Sequence, residues 1–132
     1  MNNVKVHRVI SKEKLDHYFK ITGEALKKCE GNLDKSRLKD AEDFLDMSEI
    51  AKKIHSFSPD SLAISDYDQK MLRELFFDMA QRYYDDAKYF SEKKHDYVLA
   101  FAALNYAHGW LDAGARIKLF KVKDSRLFTV DD

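Results

Sequence analysis

Turn-forming residues are scarce in this sequence, which has four glycines and one proline among 132 residues. Hydrophobic residues make up 45% of the chain and charged residues 35%, a balance that suits long helices rather than many turns. The length is that of one domain with one core. We therefore expect a single all-α domain.

The shortages of cysteine and of net charge argue against several kinds of site and partner. The one cysteine, Cys29, has no partner for a disulfide within the chain and no second thiolate for a zinc knuckle. Excess charge is also lacking, since 23 Lys and Arg balance 23 Asp and Glu. No overall field then draws in nucleic acid or anionic lipid, so we expect neither as a partner.

Long hydrophobic runs are missing as well. The longest uncharged run, residues 97–111, is shorter than the roughly 20 residues needed to span a bilayer. Residues 1–10 lack the apolar stretch and cleavage site of a secretory signal. We therefore expect a cytoplasmic protein that has no membrane partner.

Apolar residues recur at three- and four-residue steps, which predicts helices. The first helix is predicted from Ser11 to about Gly31, the second over about residues 34–55, the third from Ser65 or Asp66 to about Lys93, and the fourth from Asp96 to roughly Phe120. The predicted turn between the third and fourth helices is short, so we expect these two helices to form an antiparallel hairpin. The apolar residues 126–130 predict that the C-terminal tail docks back on the bundle.

The fourth helix is apolar nearly all round, which is typical of a central helix. At about 100° per residue its side chains form three stripes. These are small (Ala100, Ala103, Ala107, Gly114), bulky (Leu99, Tyr106, Trp110, Ile117) and polar (Asn105, His108, Asp112, Arg116).

The polar stripe has two interpretations. In the functional one, Asp112 orients His108 in a small-molecule or nucleotide-binding or processing site that includes Arg116. In the structural one, which we favour, Asp112 pairs with Arg116 and the neighbouring helices satisfy Asn105 and His108. Asp86 is added as a candidate binding residue because it falls on the predicted apolar side of the third helix, near Asn105.

Signatures of catalysis or metal binding are weak. His108 and Asp112 are four residues apart, but a catalytic zinc site needs three protein ligands and a structural site four. The sequence has no Gly-x-Ser-x-Gly elbow and no phosphate-binding glycine loop. We therefore predict no catalytic residues, no cofactor and no metal.

Aromatic side chains that point outward favour a protein interface. The candidates are Tyr84, Tyr106, Trp110 and Ile117. The bulky stripe of the fourth helix also has more apolar surface than two neighbouring helices cover. The leading hypothesis is a non-catalytic interaction or self-association module. Its partner is a second copy, giving a dimer, or another protein.

Three motifs, YYDDAKYF at 83–90, YAHGWLDAGAR at 106–116 and RLFTV at 126–130, resemble the archaeal family known as domain of unknown function 357. The resemblance is strongest over about residues 71–120. It implies an archaeal cytosolic helical bundle that has no established activity.

Two departures from that family bear on the fold. Lys94-His95 replaces an expected glycine, so one of these residues must adopt a left-handed backbone conformation. The segment 32–65 is longer than the family's usual link. We therefore predict an antiparallel up-and-down bundle of three core helices plus one additional helix over residues 11–120, with an extended arm at 1–10 and a tail at 121–132; a regular four-helix bundle is the alternative.

Overall fold

The computed structural model describes residues 10–33 and 65–130. This part of the chain contains three α-helices, α1 (Lys12–Glu30), α2 (Asp66–Glu92) and α3 (Tyr97–Arg116), and no β-strand. The all-α class is therefore confirmed. The helix predicted over residues 34–55 lies outside the described residues, as does nearly all of the predicted arm.

Each helix begins where a side chain can accept a hydrogen bond from the backbone N–H three residues later, as the sequence predicted. The distances are 3.1 Å from Lys14 N to Ser11 Oγ, 3.1 Å from Asp68 N to Ser65 Oγ, and 3.0 Å from Leu99 N to Asp96 Oδ1.

The order of contacts gives the relative direction of the helices. Phe76 packs on Trp110 and Tyr83 stacks on Tyr106, so residue numbers fall along α2 as they rise along α3. Tyr18 packs on Phe101 and Thr22 hydrogen bonds His108, so numbers rise together along α1 and α3. Thus α2 runs opposite to α3, while α1 runs in the same direction as α3.

The core consists of two clusters along α3. One cluster, near the start of α3, packs Leu15 against Ala87, Ala100, Ala103 and Leu104. The other surrounds its C-terminal half and is made by Ala25, Leu26, Cys29, Phe77, Ala80, Leu111, Ala115, Phe120, Leu127 and Phe128. The small stripe of α3 is thus buried, which lets α1 and α2 approach closely.

The chain turns sharply after α3. Lys118 has a φ of 65°, and the backbone N–H groups of Leu119 and Phe120 donate to the Gly114 carbonyl oxygen at 2.8 and 3.2 Å. With the bond from Lys118 N to Ala115 O at 3.1 Å, this is a Schellman C-cap. Because of this turn α3 ends at Arg116, and the predicted end near Phe120 was wrong.

Two local predictions are confirmed. His95 has a φ of 49°, the left-handed conformation expected at Lys94-His95. The tail docks as predicted, because Leu127 and Phe128 are only 3% and 2% exposed. Among the described helices, none is long and apolar enough to cross a membrane.

Candidate functional site

His108 connects three parts of the molecule. Its Nε2 donates to the carbonyl oxygen of Leu127 in the tail, and its Nδ1 lies 3.3 Å from the hydroxyl of Thr22 on α1. A carbonyl oxygen can only accept, so Nε2 carries a proton, and Nδ1 hydrogen bonds the Thr22 hydroxyl, which can donate or accept. The centroids of the imidazole and the tilted Phe128 ring are 6.4 Å apart. One ring nitrogen therefore joins α3 to the tail, and the other joins α3 to α1.

Asp112 and Arg116 meet at Thr129 rather than at each other. The Thr129 backbone N–H donates to Asp112 Oδ1 and its hydroxyl to Oδ2, both at 2.6 Å. Arg116 Nη1 donates to the same hydroxyl oxygen at 3.3 Å. Within residues 10–33 and 65–130, Asp112 and Arg116 form no ion pair, so the pair expected from their spacing was wrong.

We call His108, Asp112, Arg116, Leu127 and Thr129 the tail clasp. The clasp fastens one face of α3 to the segment that follows it. The tail uses one imidazole nitrogen, Nε2, and both carboxylate oxygens, while Thr22 of α1 uses the other imidazole nitrogen, Nδ1. Acid–base chemistry at His108 and Asp112 would therefore require the tail to leave.

The other two candidate binding residues lie apart from the clasp. Asn105 and Asp86 are both exposed. The expectation that Asp86 faces the apolar side of α2 was wrong. The residue fully buried there is its neighbour Ala87, which is rotated by about 100° from Asp86. An exposed carboxylate needs no partner from α3.

This region also carries the match to known proteins. Residues 60–120 match the family model described as Protein of unknown function (DUF357). The match confirms the resemblance seen in the sequence. No curated protein and no solved structure matches the chain.

The DUF357 match covers α2, α3 and the Schellman turn. It includes three clasp residues, His108, Asp112 and Arg116, while their partners Leu127 and Thr129 lie beyond its end. In this chain, side chains of the matched motif YAHGWLDAGAR form hydrogen bonds with the segment that follows the matched residues.

The four candidate interface residues lie in three different surroundings. Tyr106 and Ile117 are 63% and 61% exposed on α3. Trp110 is half-buried against Phe76. Tyr84 is on the other side, where its hydroxyl donates to the Phe19 carbonyl oxygen at 3.4 Å and burial raises its pKa. The structure does not bring Tyr84 to the same surface as the others.

An exposed, uncharged surface runs along the whole of α3. We call it the α3 outer face and define it by Leu99, Tyr106, Gly109, Ala113 and Ile117, all of which are exposed. A methyl group placed on Gly109 would meet no atom within 4 Å, so the middle of this face is open.

A cleft that adjoins the clasp was not predicted from the sequence. Its volume is about 870 Å³, and its lining includes Arg116, Lys118, Lys121 and Lys123. Four cations within eight residues, uninterrupted by an acid, were a visible sequence signal. We call this the basic cleft.

Two titratable groups outside the clasp and the basic cleft have large pKa shifts. Burial raises the pKa of the Cys29 thiol to about 12. The Arg126 guanidinium, which hydrogen bonds Asp124, lowers the pKa of that carboxyl to about 2. Among the residues that the structure describes, no group of three His, Cys, Asp or Glu side chains is placed to hold a metal ion.

Proposed function

We propose that this protein is a non-catalytic self-association module that pairs through the α3 outer face. The observation that carries the proposal is the exposure of large apolar side chains along a central helix. Leu99, Tyr106 and Ile117 are 47%, 63% and 61% exposed, although α3 also supplies more buried apolar residues than α1 or α2. A contiguous exposed apolar surface of this kind is typical of an interface.

The shape of the face supports a second copy as the partner. Gly109 and Ala113 form a low centre between the bulky side chains of Tyr106 and Ile117. In a two-fold pairing centred between Gly109 and Ala113, the Tyr106 side chain of each copy packs beside Ile117 of the other copy. A two-fold interface requires such self-complementarity.

Charge also supports self-association. The α3 outer face carries no charged residue, so no charge must be desolvated at its centre. The formal net charge of the chain is zero, so two copies do not repel each other strongly.

We also infer that α1, α2 and α3 form a core of three helices. The parallel direction of α1 and α3 supports this arrangement, because the first and last helices of a regular four-helix up-and-down bundle run in opposite directions. A cytoplasmic setting is supported by the unpaired Cys29.

Sedimentation equilibrium of purified protein tests the proposal. We expect a dimer at about tens of micromolar, and we expect Tyr106→Arg to raise the dimer Kd more than about tenfold by placing a charge in the interface. Tyr89→Arg is the matched control, because Tyr89 is a half-exposed tyrosine on α2 outside the α3 outer face. Circular dichroism checks that both variants fold.

Three results would contradict self-association through this face. They are a monomeric wild-type protein at that concentration, a Tyr106→Arg variant that dimerises normally, and an equal loss of dimer in the two variants.

The alternative function, a small-molecule or nucleotide-processing site around His108, Asp112 and Arg116, has less support because the docked tail occupies the first two side chains.

A further inference from the structure

The basic cleft lies at the C-terminal end of α3 and shares Arg116 and Thr129 with the tail clasp. The Schellman turn sends the chain from Lys118 back beneath the helix, and the docked tail forms the opposite wall with Thr129 and Val130. Its volume of about 870 Å³ falls within the usual range of small-molecule sites. The cleft is thus a product of the turn and the docked tail together.

Four cations line this cleft. Arg116, Lys118, Lys121 and Lys123 are all exposed, and in the described part of the chain none of them forms an ion pair. Two nearby carboxylates have other partners, since Asp124 binds Lys28 and Arg126 and Asp112 binds Thr129. A concave surface lined by one sign of charge concentrates counter-ions, so this one attracts anions.

Arg116 is positioned by the tail. A guanidinium has five N–H donors, and the hydrogen bond to Thr129 uses one of them. That bond holds the side chain at the wall of the cleft and leaves its other donors for a ligand. Arginine suits phosphate in particular, because two parallel N–H groups match two phosphate oxygens.

Besides Thr129, the rest of the lining is apolar and consists of Ala115, Phe120, Val122 and Val130. Ala115 and Phe120 are buried, so the partly exposed Val122 and Val130 form the floor that a ligand can contact. A free inorganic anion would leave this floor uncovered. An organic group attached to the phosphate would bury it instead.

We propose that the basic cleft binds a small phosphorylated organic molecule of the nucleotide class. Its phosphates pair with Arg116, Lys118, Lys121 and Lys123, and its ring system lies on Val122 and Val130. This site is separate from the α3 outer face, so it does not depend on self-association.

Isothermal titration calorimetry at low salt tests the cleft with three probes, which are ATP without added metal, inorganic tripolyphosphate and adenosine. We expect ATP to bind at least about tenfold more tightly than either fragment, because only ATP covers both the cations and the floor. The triple variant Lys118→Gln, Lys121→Gln, Lys123→Gln should weaken ATP binding more than about tenfold.

A second triple variant, Lys12→Gln, Lys20→Gln, Lys27→Gln, is the matched control. It removes three exposed lysines from α1 and gives the same net charge, and it should bind ATP like the wild-type protein. No binding of ATP, equal binding of tripolyphosphate, or an equal loss in the two triple variants would overturn the proposal. Thermal denaturation of each variant separates loss of the site from loss of the fold.

Discussion

Asp112 binds Thr129 through both carboxylate oxygens, one accepting from the backbone N–H and one from the hydroxyl, each at 2.6 Å. The two residues are 17 positions apart, so this contact fixes the tail against α3 rather than stabilising a single helix. Hydrogen bonds to an ionised group are stronger than neutral ones. The Asp112 carboxylate is therefore a structural fastening of the tail.

Replacing Asp112 tests this role. We expect Asp112→Ala to lower the free energy of unfolding by about 2 kcal/mol, because it removes two charge-assisted hydrogen bonds at a half-buried position. Asp78→Ala is the control, since Asp78 forms an ion pair with Arg82 that is largely exposed, and its loss should cost less than about 1 kcal/mol. Urea denaturation measures both values. Equal losses in the two variants would contradict a fastening role for Asp112.

The sequence predicted features that depend on local chemistry. Ser11, Asp96 and one of Ser65 and Asp66 are predicted as helix caps because a short polar side chain can bond the first backbone N–H groups, and the structure selects Ser65. The left-handed residue at Lys94-His95 followed from the missing glycine. Docking of the tail followed from its apolar residues, which a solvated end does not need.

The candidate site was harder to predict because its contacts are distant in sequence. Helical periodicity finds only neighbours on the same helix, so it paired Asp112 with Arg116 and could not find Thr129. It also placed Asp86 on the wrong side of α2, since an error of one residue rotates a side chain by about 100°. Only the path of the tail could reveal what His108 and Asp112 bind.

The left-handed Lys118 offers a test of backbone strain. We expect Lys118→Gly to raise the free energy of unfolding by about 1 kcal/mol, because glycine adopts a positive φ without the steric cost of a Cβ atom. Lys121→Gly removes the same charge at a residue without a positive φ, and should destabilise the protein by about 0.5 kcal/mol. Thermal denaturation without ligand distinguishes the two. A Lys118→Gly variant less stable than wild type would contradict strain at this position.

The buried Cys29 predicts how stability changes at high pH. Burial raises the pKa of its thiol from 9.0 to about 12, so between these values the unfolded chain loses a proton that the folded chain keeps. The stabilising contribution is therefore complete below pH 9 and is lost as the pH rises toward about 12. In Cys29→Ala, stability should fall less steeply across this range, measured by urea denaturation at each pH. Parallel profiles for the variant and wild type would contradict this account.

Two glycines on α3 should respond to the same substitution in opposite ways. At Gly114 an added Cβ atom would lie 2.5 Å from two ring atoms of Phe120, whose side chain is buried, so the ring would have to move within the core. At Gly109 nothing lies within 4 Å of the added atom. The intrinsic preference of a helix for alanine is the same at both positions, so the difference between the two changes in stability isolates the contact with Phe120.

We expect Gly109→Ala to raise the free energy of unfolding by about 0.5 to 1 kcal/mol, and Gly114→Ala to lower it by about 1 to 3 kcal/mol. Urea denaturation of both variants measures these changes, and a Gly114→Ala variant as stable as Gly109→Ala would show that Phe120 does not pack over Gly114 in this way.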